Sequence, residues 1–141
     1  MYGSVAMALL VRDLSIPQPT QPVSGHCSHV RYIITMLPPD VIVYFLHHTE
    51  TDGNTGRIKA KTIGKMLDNY VTLEGKFTIV LKTVVKDGQY YFSTQNNGMD
   101  TVKSPMGMFE EELIVNDLKM VDDTIREYYG IEVHETETAE E

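Results

Sequence analysis

Residues 41–46 read VIVYFL, an unbroken apolar and β-rich run that passes directly into His47, His48, Thr49 and Glu50. Six such residues are too few for a membrane span, which needs roughly 20, and too β-branched for an easy helix. The run therefore predicts a strand covered on both faces in an α/β sheet. No GxxxxGK[ST] phosphate loop precedes it, so no backbone nest or lysine of that kind is available to hold a triphosphate.

The elements around this strand follow from local chemistry. Residues 4–11 are apolar and fit either a short helix or a strand. Pro17, Pro19, Pro22 and Gly25 make 16–25 an extended linker. Val30, Ile33, Ile34 and Leu37 share one face of an expected helix over 29–37, stopped by Pro38 and Pro39. Residues 51–61 are expected to be a loop broken by Gly53 and Gly56, and Thr62 is expected to cap a helix through about Tyr70. Asp87-Gly88 joins two strands, 77–85 and 89–95, by a strong hairpin signal. Ser104-Pro105 resembles a helix start. Asn116 or Asp117 should cap a last helix carrying Leu118, Val121, Ile125 and Tyr128, ended by Gly130. The tail from 132 onward is expected to be disordered.

Charge is distributed unevenly along the 141 residues. Residues 1–109 carry 10 Lys/Arg and 8 Asp/Glu, whereas residues 110–141 carry 2 and 12, so a nearly neutral body meets a C-terminal third of net −10. That balance lacks the overall basic footprint for duplex DNA and suits solubility first and a basic protein partner second, with Glu110, Glu111 and Glu112 as the candidate partner-binding face. The bland alternative for those acids is a solvated face. Arg57, Lys59, Lys61 and Lys65 form the one basic cluster and read either as phosphate contacts or as a solvated loop. The methionines Met99, Met106, Met108 and Met120 fit core filling or an adaptable surface. His26, Cys27 and His29 lack a fourth ligand at metal spacing, so no metal site is expected. The single cysteine and the absence of a basic region ahead of the first apolar run fit a cytoplasmic protein without a signal peptide.

The words YFLHHTE, GRIKAKTIGKMLD, LEGKFTIVL, FSTQNNGMDTVKSPMGMFE and NDLKMVDDTIREYYGI, in this order over 41–131, resemble the C-terminal half of RecA-like P-loop ATPases that bacteriophages encode for single-strand annealing and recombination. The resemblance implies an α/β fold: a truncated RecA-like half-sheet with a C-terminal β-hairpin and flanking helices, spanning 26–131 between an N-terminal segment (1–25) and an acidic tail (132–141). It also implies roles. The strand ending at His48 and Glu50 corresponds to the sensor strand beside the γ-phosphate. Residues 53–61 correspond to the mobile DNA-contacting loop, with Arg57, Lys59 and Lys61 toward phosphates. Lys103 corresponds to the lysine finger that reaches a neighbour's nucleotide. Residues 1–40 supply neither a phosphate loop nor an aspartate-ended strand for magnesium, so His48, Glu50 and Lys103 are expected to be vestigial, the chain non-enzymatic and cofactor-free.

Two functions are compatible with these observations. One is a non-catalytic phage-derived binding protein that inhibits nucleic-acid machinery, with an anti-CRISPR-type inhibitor of an RNA-guided nuclease as the leading example. The other is an accessory piece of a recombination ATPase, with weak single-stranded nucleic-acid binding. Either way, loss of sheet-completing strands exposes apolar surface that a homodimer or another protein should cover, with a homodimer the expectation. The longest apolar runs, 5–11 and 41–46, are too short to span a membrane, so no membrane contact is expected.

Overall fold

The computed structural model describes residues 5–10, 38, 40–61 and 73–132. Six strands lie within them: β1 (Val5–Leu10), β2 (Val43–Thr51), β3 (Ile58–Ala60), β4 (Ile79–Lys86), β5 (Gln89–Ser93) and β6 (Leu113–Val115). A short 3-10 turn (Leu73–Lys76) precedes β4, and one helix, α1 (Leu118–Tyr129), closes the described chain. The strands form one sheet in the order β3-β2-β1-β4-β5-β6, every pairing antiparallel. The protein thus mixes helix and strand. The segment 4–11, open between helix and strand from sequence, is strand β1, and it lies at the centre of the sheet between β2 and β4. Sheet-forming residues therefore begin well before residue 26.

Period-2 alternation along β4 divides the interior into two layers. Ile79 and Leu81 face α1 and form a core cluster with Phe92, Met108, Phe109, Val121 and Ile125. Val80 faces the opposite side, where Phe77 and Val102 are also buried. There the rings of Phe45 and Phe77 lie 5.3 Å apart, a favourable tilted contact.

The helix is set by its ends. The Asp117 carboxylate accepts from Lys119 N at 2.8 Å and Met120 N at 3.4 Å. Gly130, at φ 63, turns the chain out in the left-handed region, and Ile131 N donates back to Arg126 O at 2.9 Å. Val121 and Ile125, one turn apart, are fully buried. Asp122 links the helix to the sheet: it accepts from Tyr44 Oη at 2.8 Å and Arg126 Nε at 2.6 Å, while Arg126 also reaches Asp40 O.

The Asp87-Gly88 hairpin is present, with both residues at positive φ (54 and 75) as a type I′ turn requires. Other expectations are corrected. The run 41–46 is not sealed on both faces: Tyr44 packs on the helix side and Phe45 on the other, but Leu46 is 65 % exposed. Residues 51–61 are not one loop. The Asp52 carboxylate caps Asn54 and Thr55, Gly56 takes φ 68, and Asp52 N donates to Arg57 O, so the flanks pair as β2 and β3. Ser104-Pro105 starts no helix: Met108 N reaches Pro105 O for a single turn, Gly107 then adopts φ 78, and the Ser104 hydroxyl donates to Thr94 O instead of capping. Strand β6 was not expected from sequence. The expected elements over 16–25, 29–37 and 62–70, the His26, Cys27 and His29 group, Lys65 and the tail beyond 132 lie outside the described residues.

Candidate functional site

Antiparallel register places the sensor-type and basic candidates on neighbouring strands. Glu50 of β2 stands opposite Lys59 of β3, and Lys59 Nζ lies 3.4 Å from Glu50 Oε1. Each side chain is about one-third exposed, so the pair is a surface contact of roughly 0.2–1 kcal/mol. One residue expected to meet phosphate is therefore matched by one expected to sense it. Arg57 and Lys61 flank the strand and are exposed. Their backbones are fixed: Arg57 O accepts from Asp52 N at 2.8 Å and Lys61 N donates to His48 O at 2.7 Å. Asp52, the cap of this hairpin, has a pKa below the ordinary aspartate value because the Asn54 and Thr55 amides stabilise its anion. His47 and His48 point to opposite faces, as strand alternation dictates, His47 half-buried and His48 exposed.

The second expected element, the segment around Lys103, is anchored on β4. Val80 N donates to Lys103 O at 2.8 Å and Lys103 N to Val80 O at 3.0 Å, so Lys103 takes up the place beside β4 that β5 has left. Its side chain is exposed. Between Thr94 and Ser104 the chain forms a loop that crosses the sheet to the far edge. There Met99 O accepts from Ile58 N of β3 at 2.8 Å. Beneath the crossing, Lys82 of β4 forms an ion pair with Asp100, their side chains 11 % and 2 % exposed. Asp100 O accepts from Asn96 Nδ2 at 2.7 Å. Glu74, on the 3-10 turn, completes the closure: its Oε1 accepts from Ala60 N at 2.6 Å and from Thr101 Oγ1 at 3.2 Å.

This crossing joins the basic strand to the loop that leads to Lys103, but it leaves little space between them. The recess lined by Thr49, Ile58, Lys82, Asp100 and Thr101 has a volume of about 10 Å³, the size of one water site. The backbones of Lys103 and His48 are also held three strand positions apart, beside β4 and on β2, roughly 14 Å or more across the intervening β1 and β4. A more open recess of about 420 Å³ lies at the C-terminal end of α1, beside Asp123, Arg126 and Glu132, and contains none of the expected site residues.

The acidic candidates have a different setting. Glu110, Glu111 and Glu112 are all exposed, yet the backbone beneath them is held by a fully buried threonine. Thr94 N donates to Glu112 O at 2.9 Å, and Thr94 Oγ1 to Glu111 O at 2.7 Å. The result is a ledge of three carboxylates, its backbone fixed at Glu111 and Glu112, leading directly into the edge strand β6. No sequence motif singles out Glu74, Asp100 or Thr94. Lys82 alone left a signal, being a cation within an apolar strand that required a buried partner.

Comparison with protein-family models, with curated proteins and with solved structures finds no match for the chain. Among the described residues no helix is long and apolar enough to cross a membrane.

Proposed function

We propose that the chain is a non-catalytic binding protein of phage or mobile-element origin that inhibits or modulates nucleic-acid machinery, with an anti-CRISPR-type inhibitor of an RNA-guided nuclease as the leading example. The observation that carries this reading is the ledge of Glu110, Glu111 and Glu112, exposed as side chains, with the backbone fixed at Glu111 and Glu112 by Thr94. Residues 110–132 hold eight Asp/Glu against two Lys/Arg. A pre-organised acidic surface meets a basic nucleic-acid channel with little ordering cost and steers the encounter. Descent from the C-terminal half of RecA-like ATPases, action in the host cytoplasm without a cofactor, and self-association through exposed apolar side chains such as Leu46 and Met106 belong to the same proposal.

The test is affinity capture from lysates of infected or CRISPR-bearing cells, with and without ATP and nuclease. A basic nucleic-acid enzyme is expected in every condition, and it is expected to be lost with the Glu110→Gln, Glu111→Gln, Glu112→Gln triple variant. Capture unaffected by that variant would remove the acidic ledge from the mechanism.

One observation favours a second reading, an accessory role in ATP-dependent recombination. The Ile58–Met99 hydrogen bond couples the basic strand to the loop leading to Lys103, so the two basic segments that this reading needs sit on one connected frame. This reading requires recovery of a full-length ATPase relative, and only with ATP.

A further inference from the structure

The two edges of the sheet are finished in opposite ways. On β3 the amides directed away from β2 are those of Ile58 and Ala60, and both are occupied, by Met99 O at 2.8 Å and Glu74 Oε1 at 2.6 Å. That edge is closed to a further strand. On β6 the inward groups belong to Glu112, Ile114 and Asn116: Glu112 O accepts from Thr94 N, Ile114 stands opposite Phe92, and Asn116 N reaches Tyr90 O at 3.4 Å. Leu113 and Val115 consequently direct their amides outward. Among the described residues neither amide has an acceptor, while Val115 O is taken by Asp117 N at 2.8 Å. The Val115 side chain is 60 % exposed.

An open edge with free amides is a template for strand addition. Resting on the reading of the chain as a binding protein with a basic target, we propose that β6 is the docking edge, and that it takes up an extended basic segment of the partner as a seventh strand. Charge selects the occupant. Glu110, Glu111 and Glu112 precede the strand and Asp117 follows it, so lysines or arginines on the incoming segment find carboxylates at both ends. A second copy of this chain is disfavoured by the same charges. Two β6 strands paired antiparallel about Ile114 would set Glu111 of each opposite Asp117 of the other, a like-charge cross-strand pair.

The probe is a short peptide of alternating lysine and valine, titrated into the full chain and followed by amide hydrogen exchange. Exchange at Leu113 and Val115 is expected to slow at least about tenfold at saturation. Val115→Pro deletes an outward donor and no β5 hydrogen bond, a position where proline is tolerated, and is expected to weaken peptide binding at least about tenfold. The same peptide methylated at alternate backbone nitrogens is expected not to bind, a control that leaves the protein unaltered. No binding, binding without protection at Leu113 and Val115, or equal binding by the methylated peptide would each overturn the proposal. So would protection of β6 that grows with protein concentration alone, since the occupant would then be a second copy. If a cellular target is captured through the acidic ledge but is indifferent to Val115→Pro, the binding-protein reading survives and strand addition does not.

Discussion

Lys82 and Asp100 form an ion pair buried between the sheet and the loop that crosses it, and this pair ties β4 to a segment 18 residues further along. Attraction between the two charges offsets a desolvation cost of several kcal/mol per ion, so removing one partner leaves the other uncompensated. Asp100→Ala is expected to destabilise the fold by about 3–5 kcal/mol in urea unfolding. The paired change Lys82→Met with Asp100→Leu should recover most of that loss. A double variant as unstable as Asp100→Ala would show that the pair acts through more than charge compensation.

Glu74 closes the β3 edge by accepting from Ala60 N and Thr101 Oγ1. Glu74→Ala leaves a buried amide without an acceptor, a loss of about 1–3 kcal/mol. The sharper readout is local. Exchange at the Ala60 amide should accelerate more than at Leu81 in the core, and the newly opened edge should give concentration-dependent association by sedimentation. A uniform acceleration across the sheet would mean that Glu74 supports global stability and not this edge.

What could be read from sequence was chemistry confined to a few neighbouring residues. Asp87-Gly88 carries the positive φ values its turn demands, and Asp117 and Gly130 carry the caps of α1, so each element is specified locally. Strand β6 has no such signal: Leu113–Val115 is a strand because β5 lies beside it. Residues 57–61 looked like a basic loop because charged residues alternate with Ile58 and Ala60, which is the pattern of a short edge strand. The exposure of Glu110, Glu111 and Glu112 was legible from their charge. Their fixed frame depends on Thr94, 17 residues from Glu111, and the match of Glu50 with Lys59 depends on register. Neither long-range relation leaves a trace in local composition.

Tyr44 offers a pH test of the contact between sheet and helix. Burial first, then its hydrogen bond to Asp122 and that residue's charge, raises the phenol well above its ordinary value of 10.0. The unfolded tyrosine loses its proton near that ordinary value while the folded one retains it. Stability from this group is therefore intact below about pH 10 and falls as pH rises beyond it. Tyr44→Phe should cost about 1–2 kcal/mol at neutral pH through the lost hydrogen bond. It should also lessen the decline of the thermal midpoint above pH 10. An identical alkaline profile in both proteins would place the titration elsewhere.

The basic strand makes unequal demands on its three cations. Lys59 already faces Glu50, whereas Arg57 and Lys61 are exposed on fixed backbone at either end of the strand. Each phosphate contact on single-stranded nucleic acid contributes a salt slope of about 0.7. In the recombination reading, Arg57→Ala and Lys61→Ala are each expected to lower the logarithmic salt dependence of oligothymidine binding by about that amount, measured by fluorescence anisotropy over a sodium chloride series. Lys59→Ala should change it little, because the freed Glu50 then stands unpaired beside the strand and the cation it matched was not available to phosphate. A slope indifferent to Arg57 and Lys61 would take this strand out of nucleic-acid contact. The acidic ledge on the opposite edge of the sheet would then be left as the charged surface that selects a partner.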